Sequence, residues 1–251
     1  MRNEDVSRRF DFDIGEFYIT APAPCPYLKG QMERKVFSYL SGPAAPVTNS
    51  ILSQRGFRRS QNIIYLPACE SCSACSPVRI VTSDFKMTKS RRRLARKNSA
   101  IIRRIRPPKA TTSQYSVLRS YLDSRHADGG MADMTVLDYA SMVEETAVDT
   151  TIIEYSVVDE AGEEQLVACA LTDRLSDGLS MVYSFFDPDY ADQSLGAFMI
   201  LDHVDLAKEW SLPYIYLGYW VSGSPKMDYK KKFGPLERLT SAGWRSLEDE
   251  C

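Results

Sequence analysis

Thr151-Ile-Ile-Glu-Tyr-Ser-Val-Val158, Gln165-Leu-Val-Ala-Cys-Ala-Leu171 and Leu179-Ser-Met-Val-Tyr-Ser-Phe-Phe186 are three β-branched or aromatic runs. Two turn signals separate them, Asp159-Glu-Ala-Gly162 and Ser176-Asp-Gly178. Gaps this short predict three consecutive antiparallel strands. Asp187-Pro188 halts the third run, Asp192 is a predicted cap for a helix over 193–210, and 213–220 supplies a fourth strand. The order is β-β-β-α-β, so the expected fold is α+β, a mixed, mostly antiparallel sheet flanked by helices.

Upstream of that block the pattern is shorter-ranged. Residues 1–16 read as a poorly ordered lead, 17–20 as a strand and 30–40 as an amphipathic helix. Gly42-Pro43 and Pro46 break the pattern. Residues 47–59 are predicted as helix or extended chain, and 62–66 and 77–81 as short strands. Ser90 is the predicted cap of a basic helix from Arg91 to about Lys97, and a strand over 101–106 ends at Pro107-Pro108. That diproline is the expected boundary between an N-terminal cysteine-containing lobe, 1–108, and a C-terminal domain, 109–251. With 251 residues and 44% hydrophobic content the chain can bury real cores. No apolar stretch approaches the roughly 20 residues that cross a bilayer, and the first thirteen are charged rather than signal-like. The expected location is cytoplasmic, with no membrane partner.

Two features point to chemistry. Tyr65-Leu-Pro-Ala-Cys69-Glu-Ser-Cys72-Ser-Ala-Cys75-Ser-Pro-Val-Arg79-Ile spaces three cysteines by three residues. Three such thiols in a loop can face one point, and Cys25, in Pro24-Cys25-Pro26, is the candidate fourth ligand. Four thiolates suit zinc or an iron-sulfur cluster; the alternative is free thiols packed in a turn. Cys169 and Cys251 read as incidental. Second, residues 86–109 hold eleven basic side chains and no acid, among them Arg91, Arg92, Arg93, Arg96, Lys97, Arg103 and Arg104. Without those eleven, 20 basic residues face 33 acidic ones. Such polarity predicts a polyanion partner, against the alternative of a solvated helix face.

The β-β-β-α-β order resembles the core of the GNAT acyltransferase superfamily. Members that bind coenzyme A carry Gln/Arg-x-x-Gly-x-Gly/Ala at the start of the helix, where small residues let backbone amides reach a pyrophosphate. Here the segment is Gln193-Ser-Leu-Gly196-Ala-Phe198, with phenylalanine at the last position, so no coenzyme A is expected. Gly196 either serves a ligand or lets the helix pack on its sheet.

A second resemblance spans nearly the whole chain. It rests on Cys25-Pro-Tyr-Leu, the Tyr65 to Ile80 segment, Ser90-Arg-Arg-Arg-Leu-Ala-Arg-Lys-Asn98 and Arg125-His126-Ala-Asp128-Gly-Gly-Met131. Tyr183-Ser-Phe-Phe-Asp187-Pro-Asp-Tyr190, Ser194-Leu-Gly196, Tyr214-Ile-Tyr-Leu-Gly218-Tyr-Trp220 and Lys226-Met-Asp-Tyr229-Lys230 complete it. With these pieces the chain resembles bacterial aspartate/glutamate leucyltransferases, relatives of eukaryotic arginyl-tRNA-protein transferases. The resemblance implies transfer of an amino acid, leucine favoured over arginine, from aminoacyl-tRNA to the α-amine of proteins that begin with Asp or Glu. The product would be an N-degron read by degradation machinery. Likeness to cluster-binding eukaryotic relatives implies iron-sulfur rather than zinc.

A cation must then receive the acceptor's carboxylate. Arg79 is the first candidate, against a structural ion pair, with Lys226 and Lys230 next for the carboxylate or the tRNA end. Tyr183, Tyr190 and Tyr219, at strand ends, are candidates for stacking on the terminal adenine or lining the aminoacyl pocket. Asp187 could hold the donor's α-ammonium, polarise the acceptor amine or merely shape a turn. Asp187, Tyr183 and Tyr219 are the candidate catalytic set. Tyr65, His126, Ser194 and Tyr229 join the substrate-binding set, His126 with a turn-stabilising alternative. His203, among apolar residues, reads as structural. The rivals are a coenzyme A-dependent acetyltransferase and an RNA-binding module without catalysis.

Overall fold

The structure, a computed structural model, describes residues 15–125 and 132–247. His126 and the glycines after it lie outside the described residues, as does most of the expected N-terminal lead. In chain order the elements are β1 (Tyr18–Ile19), β2 (Ala23–Pro24), β3 (Met32–Glu33), β4 (Lys35–Tyr39), α1 (Ala45–Gln54), β5 (Arg58–Ser60), β6 (Ile63–Pro67), β7 (Cys75–Val81), α2 (Lys89–Lys97) and β8 (Ile102–Arg106). Then come α3 (Thr112–Arg125), α4 (Val136–Glu144), β9 (Thr150–Val158), β10 (Glu164–Arg174), β11 (Gly178–Phe186), α5 (Leu195–Glu209), β12 (Tyr214–Val221), β13 (Leu236–Thr240) and β14 (Gly243–Ser246).

The expected meander, helix and fourth strand are β9, β10, β11, α5 and β12. They belong to an eight-stranded sheet of order β14-β13-β7-β12-β11-β10-β9-β8. Every neighbouring pair is antiparallel except β11 and β12, which are parallel because α5 carries the chain back between them. Both faces are covered. Along β10, Ala168 and Ala170 pack toward α5 residues such as Leu195, Met199 and Val204, while Cys169 and Leu171 pack toward Leu118, Leu122, Tyr139 and Val143 of α3 and α4. The two-residue alternation of a strand accounts for that division. A smaller sheet, β1-β4-β6-β5, stands beside the large one. β7 and β8 precede Pro107-Pro108 yet share the large sheet with strands that follow it, so the sheet is continuous across the expected boundary.

Three expectations are corrected. Residues 30–40 form β3 and β4 instead of a helix. The aromatic and β-branched side chains Val36, Phe37 and Tyr39 are set against Tyr18 and β6 across antiparallel ladders, with Phe37 and Tyr18 rings 5.6 Å apart. α2 is capped by Thr88, whose hydroxyl accepts from the Arg91 amide, rather than by Ser90. Asp192 caps nothing: Asp187 caps a short 3-10 helix, Pro188–Gln193, and α5 starts after Ser194, which turns the chain at φ 54°. α3, α4 and the β13–β14 hairpin carried no expectation.

Candidate active site

β11 and β12 pair only from Gly178–Ser180 to Tyr214–Tyr216 and then part, opening a gap at their carboxyl ends. Parting strands orphan main-chain carbonyls, which must find donors elsewhere. Arg58 of β5 reaches into the gap, where Nη2 donates to the carbonyl of Met181 at 3.1 Å and to that of Val182 on β11. On the other lip, Lys230 Nζ donates to the carbonyls of Leu217 (2.8 Å) and Tyr219 (2.5 Å) on β12. Gly218 lies between, at φ +71°, where β12 shifts register against β7. A Cβ there would stand 1.9 Å from Arg58 Nη1, so the close approach of the guanidinium requires glycine. Lys230 is 5% exposed, and burial, helped by the nearby Arg58 charge, lowers its pKa to about 7. Among the described residues neither cation has a carboxylate partner.

Tyrosines surround the gap. The Tyr219 hydroxyl lies 3.0 Å from the carbonyls of both Gly56 and Tyr65, and its proton ties β12 to the small sheet. Burial raises its pKa, which keeps it a donor. Its ring is 6.1 Å from that of Tyr65. Tyr27 and Tyr229 lie within electrostatic reach of Arg58, and burial raises Tyr27 to about 12. Tyr183 is half-buried on β11 near Tyr121, its pKa raised by burial.

Tyr27, Tyr65 and Tyr219 also line a cavity of about 380 Å³ whose wall includes Cys25, Cys69, Cys72 and Cys75. The sequence therefore brings all four expected thiols to one cavity. Burial, then the neighbouring thiols, raise Cys75 to about 11. Among the described residues, no three His, Cys, Asp or Glu side chains converge closely enough to hold a metal ion.

The remaining candidates are dispersed. Asp187 accepts from the Asp189 amide at 3.1 Å, the turn-shaping role among its alternatives. Tyr190 donates to Gln165 at 3.2 Å, Ser194 is exposed at the start of α5, and Lys226 is exposed beyond β12. Asp187, Tyr190 and Ser194 leave the carboxyl end of β11, as Lys226, Tyr229 and Lys230 leave that of β12, so all flank the same end of the parallel pair. Arg79 is elsewhere and fully occupied: it pairs with Glu237 at 2.7 Å, donates to Tyr216, and lies over the rings of Tyr214 (3.5 Å) and Trp244 (4.2 Å). This is the structural ion pair that stood as the alternative to binding the acceptor carboxylate. His203 is structural as expected, buried against Thr172 at 2.9 Å, with burial lowering its pKa to about 4. Gly196 is not demanded by packing, since a Cβ there would make ordinary contact with Phe186 at 3.5 Å.

Sequence reasoning passed over Arg58. Its signal was present: a basic pair, Arg58-Arg59, placed two residues after Gly56 on the edge of an apolar run.

The basic segment divides in the structure. Arg103 pairs with Asp202 and Glu209, Arg104 with Glu164 and Arg106 with Glu154. Arg91 is spent on the carbonyls of Lys86, Lys232 and Gly234 and lies over Phe85. Lys97 pairs with Asp192 at 3.1 Å. Lys89, Arg92, Arg93 and Arg96 remain exposed on α2 with no acidic partner among the described residues. Through Arg91, α2 is bound to the segment holding Lys226, Lys231 and Lys232, which are also exposed. The positive surface thus runs from α2 to the chain that carries Tyr229 and Lys230.

A positively charged surface leading to a gap between parallel strands fits an acyltransferase fed by a nucleic acid. Family models agree. Residues 23–93 match the arginine-tRNA-protein transferase N terminus and residues 113–240 its C terminus. Curated relatives include an aspartate/glutamate leucyltransferase of Azorhizobium caulinodans, 54% identical over 94% of this chain and 98% of that protein. One of Sinorhizobium medicae is 56% identical over 91% of each chain. The solved L-PGS of Bacillus licheniformis overlays 73% of this chain and 52% of that one at 13% identity and a TM-score of 0.41, too slight a likeness to argue from. The chain belongs to the arginine-tRNA-protein transferase family, within which its relatives are aspartate/glutamate leucyltransferases.

Proposed function

We propose that this chain moves leucine from Leu-tRNA to the α-amine of proteins that begin with Asp or Glu, producing a terminus that degradation machinery reads. The observation that carries the reading is 54% identity over 94% of the chain to a protein of that name.

The geometry supports it. A tRNA acceptor stem lying on Lys89, Arg92, Arg93 and Arg96 and on the Lys226 to Lys232 segment has its terminal adenosine within reach of the gap. There the acceptor's neutral α-amine attacks the ester carbonyl, the C–N bond forms, and the bond to the terminal ribose oxygen breaks. That oxygen leaves with the proton the amine gives up. An α-amine of pKa about 8 is partly neutral near pH 7, so positioning, rather than a strong base, supplies much of the rate. Tyr219 and Tyr65 wall the site and Tyr183 flanks it. Asp187, at the end of β11, holds the turn through which the chain leaves the gap. The parting of β11 and β12 around the α5 crossover is the reason to read the sheet as a GNAT-like core. Phe198, packed against Tyr155 with ring centroids 6.0 Å apart, stands at the last position of the segment, where coenzyme A binders carry a small residue. Cys25, Cys69, Cys72 and Cys75 are the donors a zinc ion or an iron-sulfur cluster would use. Their side chains must draw together to hold either, and no step here depends on one.

The test is transfer from tRNAs charged with leucine or arginine to peptides starting with Asp, Glu or Ala. Leucine on Asp and Glu peptides alone is expected. Arginine transfer, or acetylation from acetyl-CoA without tRNA, overturns the reading.

A further inference from the structure

The reaction requires that an acidic first residue be told from its amide, and other candidate cations are already taken. Arg79 is paired with Glu237 and enclosed by rings, and Arg59 is paired with Asp173. Arg58 and Lys230 are different. Both are drawn into the gap between β11 and β12 by orphaned carbonyls, stand within mutual electrostatic reach, and lack an acidic partner among the described residues. Half-buried Arg58 and buried Lys230 are basic groups that disfavour each other's charge, and an anion joining them relieves that repulsion. The bonds to Met181 and Val182 use Nη2, leaving Nε and Nη1 of Arg58 with no partner among the described residues. Nε and Nη1 lie on opposite edges of the guanidinium, so each offers a single charge-assisted hydrogen bond to a carboxylate. The strand lips that hold these cations belong to the same gap that receives the reacting ester.

We infer that Arg58, with Lys230 beside it, receives the side-chain carboxylate of the acceptor's first residue. This rests on the transfer reaction proposed above. The carboxylate supplies the charge that the gap lacks; an asparagine or glutamine amide leaves both cations unanswered, so discrimination is by a buried charge and should be large. Gly218 belongs to the same device, because any side chain there would evict the guanidinium.

The experiment measures kcat and KM for Asp-initiated and Asn-initiated peptides with saturating Leu-tRNA, using the wild type, Arg58→Gln, Arg58→Lys and Lys230→Met. For Arg58→Gln we expect KM for the Asp peptide to rise and the Asp-over-Asn preference to fall by about a hundredfold. Arg58→Lys should keep part of the preference, and Lys230→Met should lose part of it. A thermal melt accompanies each variant. If Arg58→Gln does not fold, the graded losses in the other two decide the matter. An unchanged preference in every folded variant overturns the inference while leaving the reaction standing. A wild type that transfers leucine to no acidic peptide overturns the reaction itself.

Discussion

Arg58 and Arg59 are neighbours on β5 with opposite fates. Arg59 is closed: its guanidinium meets Asp173 of β10 through Nε at 2.5 Å and Nη2 at 2.8 Å, with both side chains 1% exposed. Thr150 adds a hydrogen bond to the same carboxylate at 2.8 Å. Arg58, pointing the other way from the same short strand, ends on carbonyls in the strand gap and meets no acid among the described residues. A buried charge completed within the chain is a clasp, here joining the small sheet to the large one. A half-buried charge left incomplete is built for something that arrives.

That contrast can be broken most forcefully at the clasp. Asp173→Asn leaves Arg59 buried without its partner and should cost about 3–5 kcal/mol in urea unfolding, while molecules still folded keep their preference for acidic acceptors. A folded Asp173→Asn protein that had lost the preference would mean the two arginines are not separate devices. At the gap, Gly218→Ala combines a disfavoured backbone angle with displacement of Arg58. Transfer to Asp peptides should fall tenfold or more, with Leu-tRNA binding, followed by filter retention, preserved.

The same distinction between answered and unanswered charge applies to the basic segment. Replacing Arg92, Arg93 and Arg96 by Gln should weaken Leu-tRNA binding and lower the slope of log affinity against log salt by about two to three. Replacing Arg103 and Arg104, already paired with Glu209, Asp202 and Glu164, should leave that slope nearly unchanged. Equal effects from the two sets would show that ion pairing does not select the contact surface.

A separate effect is on pH dependence. Lys230, buried and facing Arg58 of β5, titrates near 7 when folded against 10.5 for an ordinary lysine. Between those values the unfolded chain holds a proton that the folded one has released, so stability rises with pH from about 7 to 10.5 and is flat in this respect below 7. Lys230→Met should remove that rise in urea midpoints measured across the range. An identical rise in the variant would place its origin in other groups.

The strands around α5 were legible because each run is bounded by a turn of fixed chemistry: Gly162, Gly178 and Asp187-Pro188 leave no freedom in where a strand stops. Residues 30–40 misled because their spacing of apolar positions suits a helix, while Phe37 and Tyr39 gain more from the Tyr18 ring across the ladder, a long-range term that spacing does not contain. The same limit governed the site. Cysteine spacing suggested four thiols facing one point; they line one cavity without converging there, and Lys230 was a candidate. Arg79 and Arg58 look alike in sequence, and only the distant partners Glu237, Tyr214 and Trp244 tell that the first is occupied and the second is not.

The most direct measurement is binding of an Asp-initiated peptide, followed by calorimetry without tRNA, to the wild type, Arg58→Gln and Arg79→Gln. The account predicts that binding is lost in Arg58→Gln and kept in folded Arg79→Gln. Retention in the first with loss in the second would contradict it and return the carboxylate to Arg79.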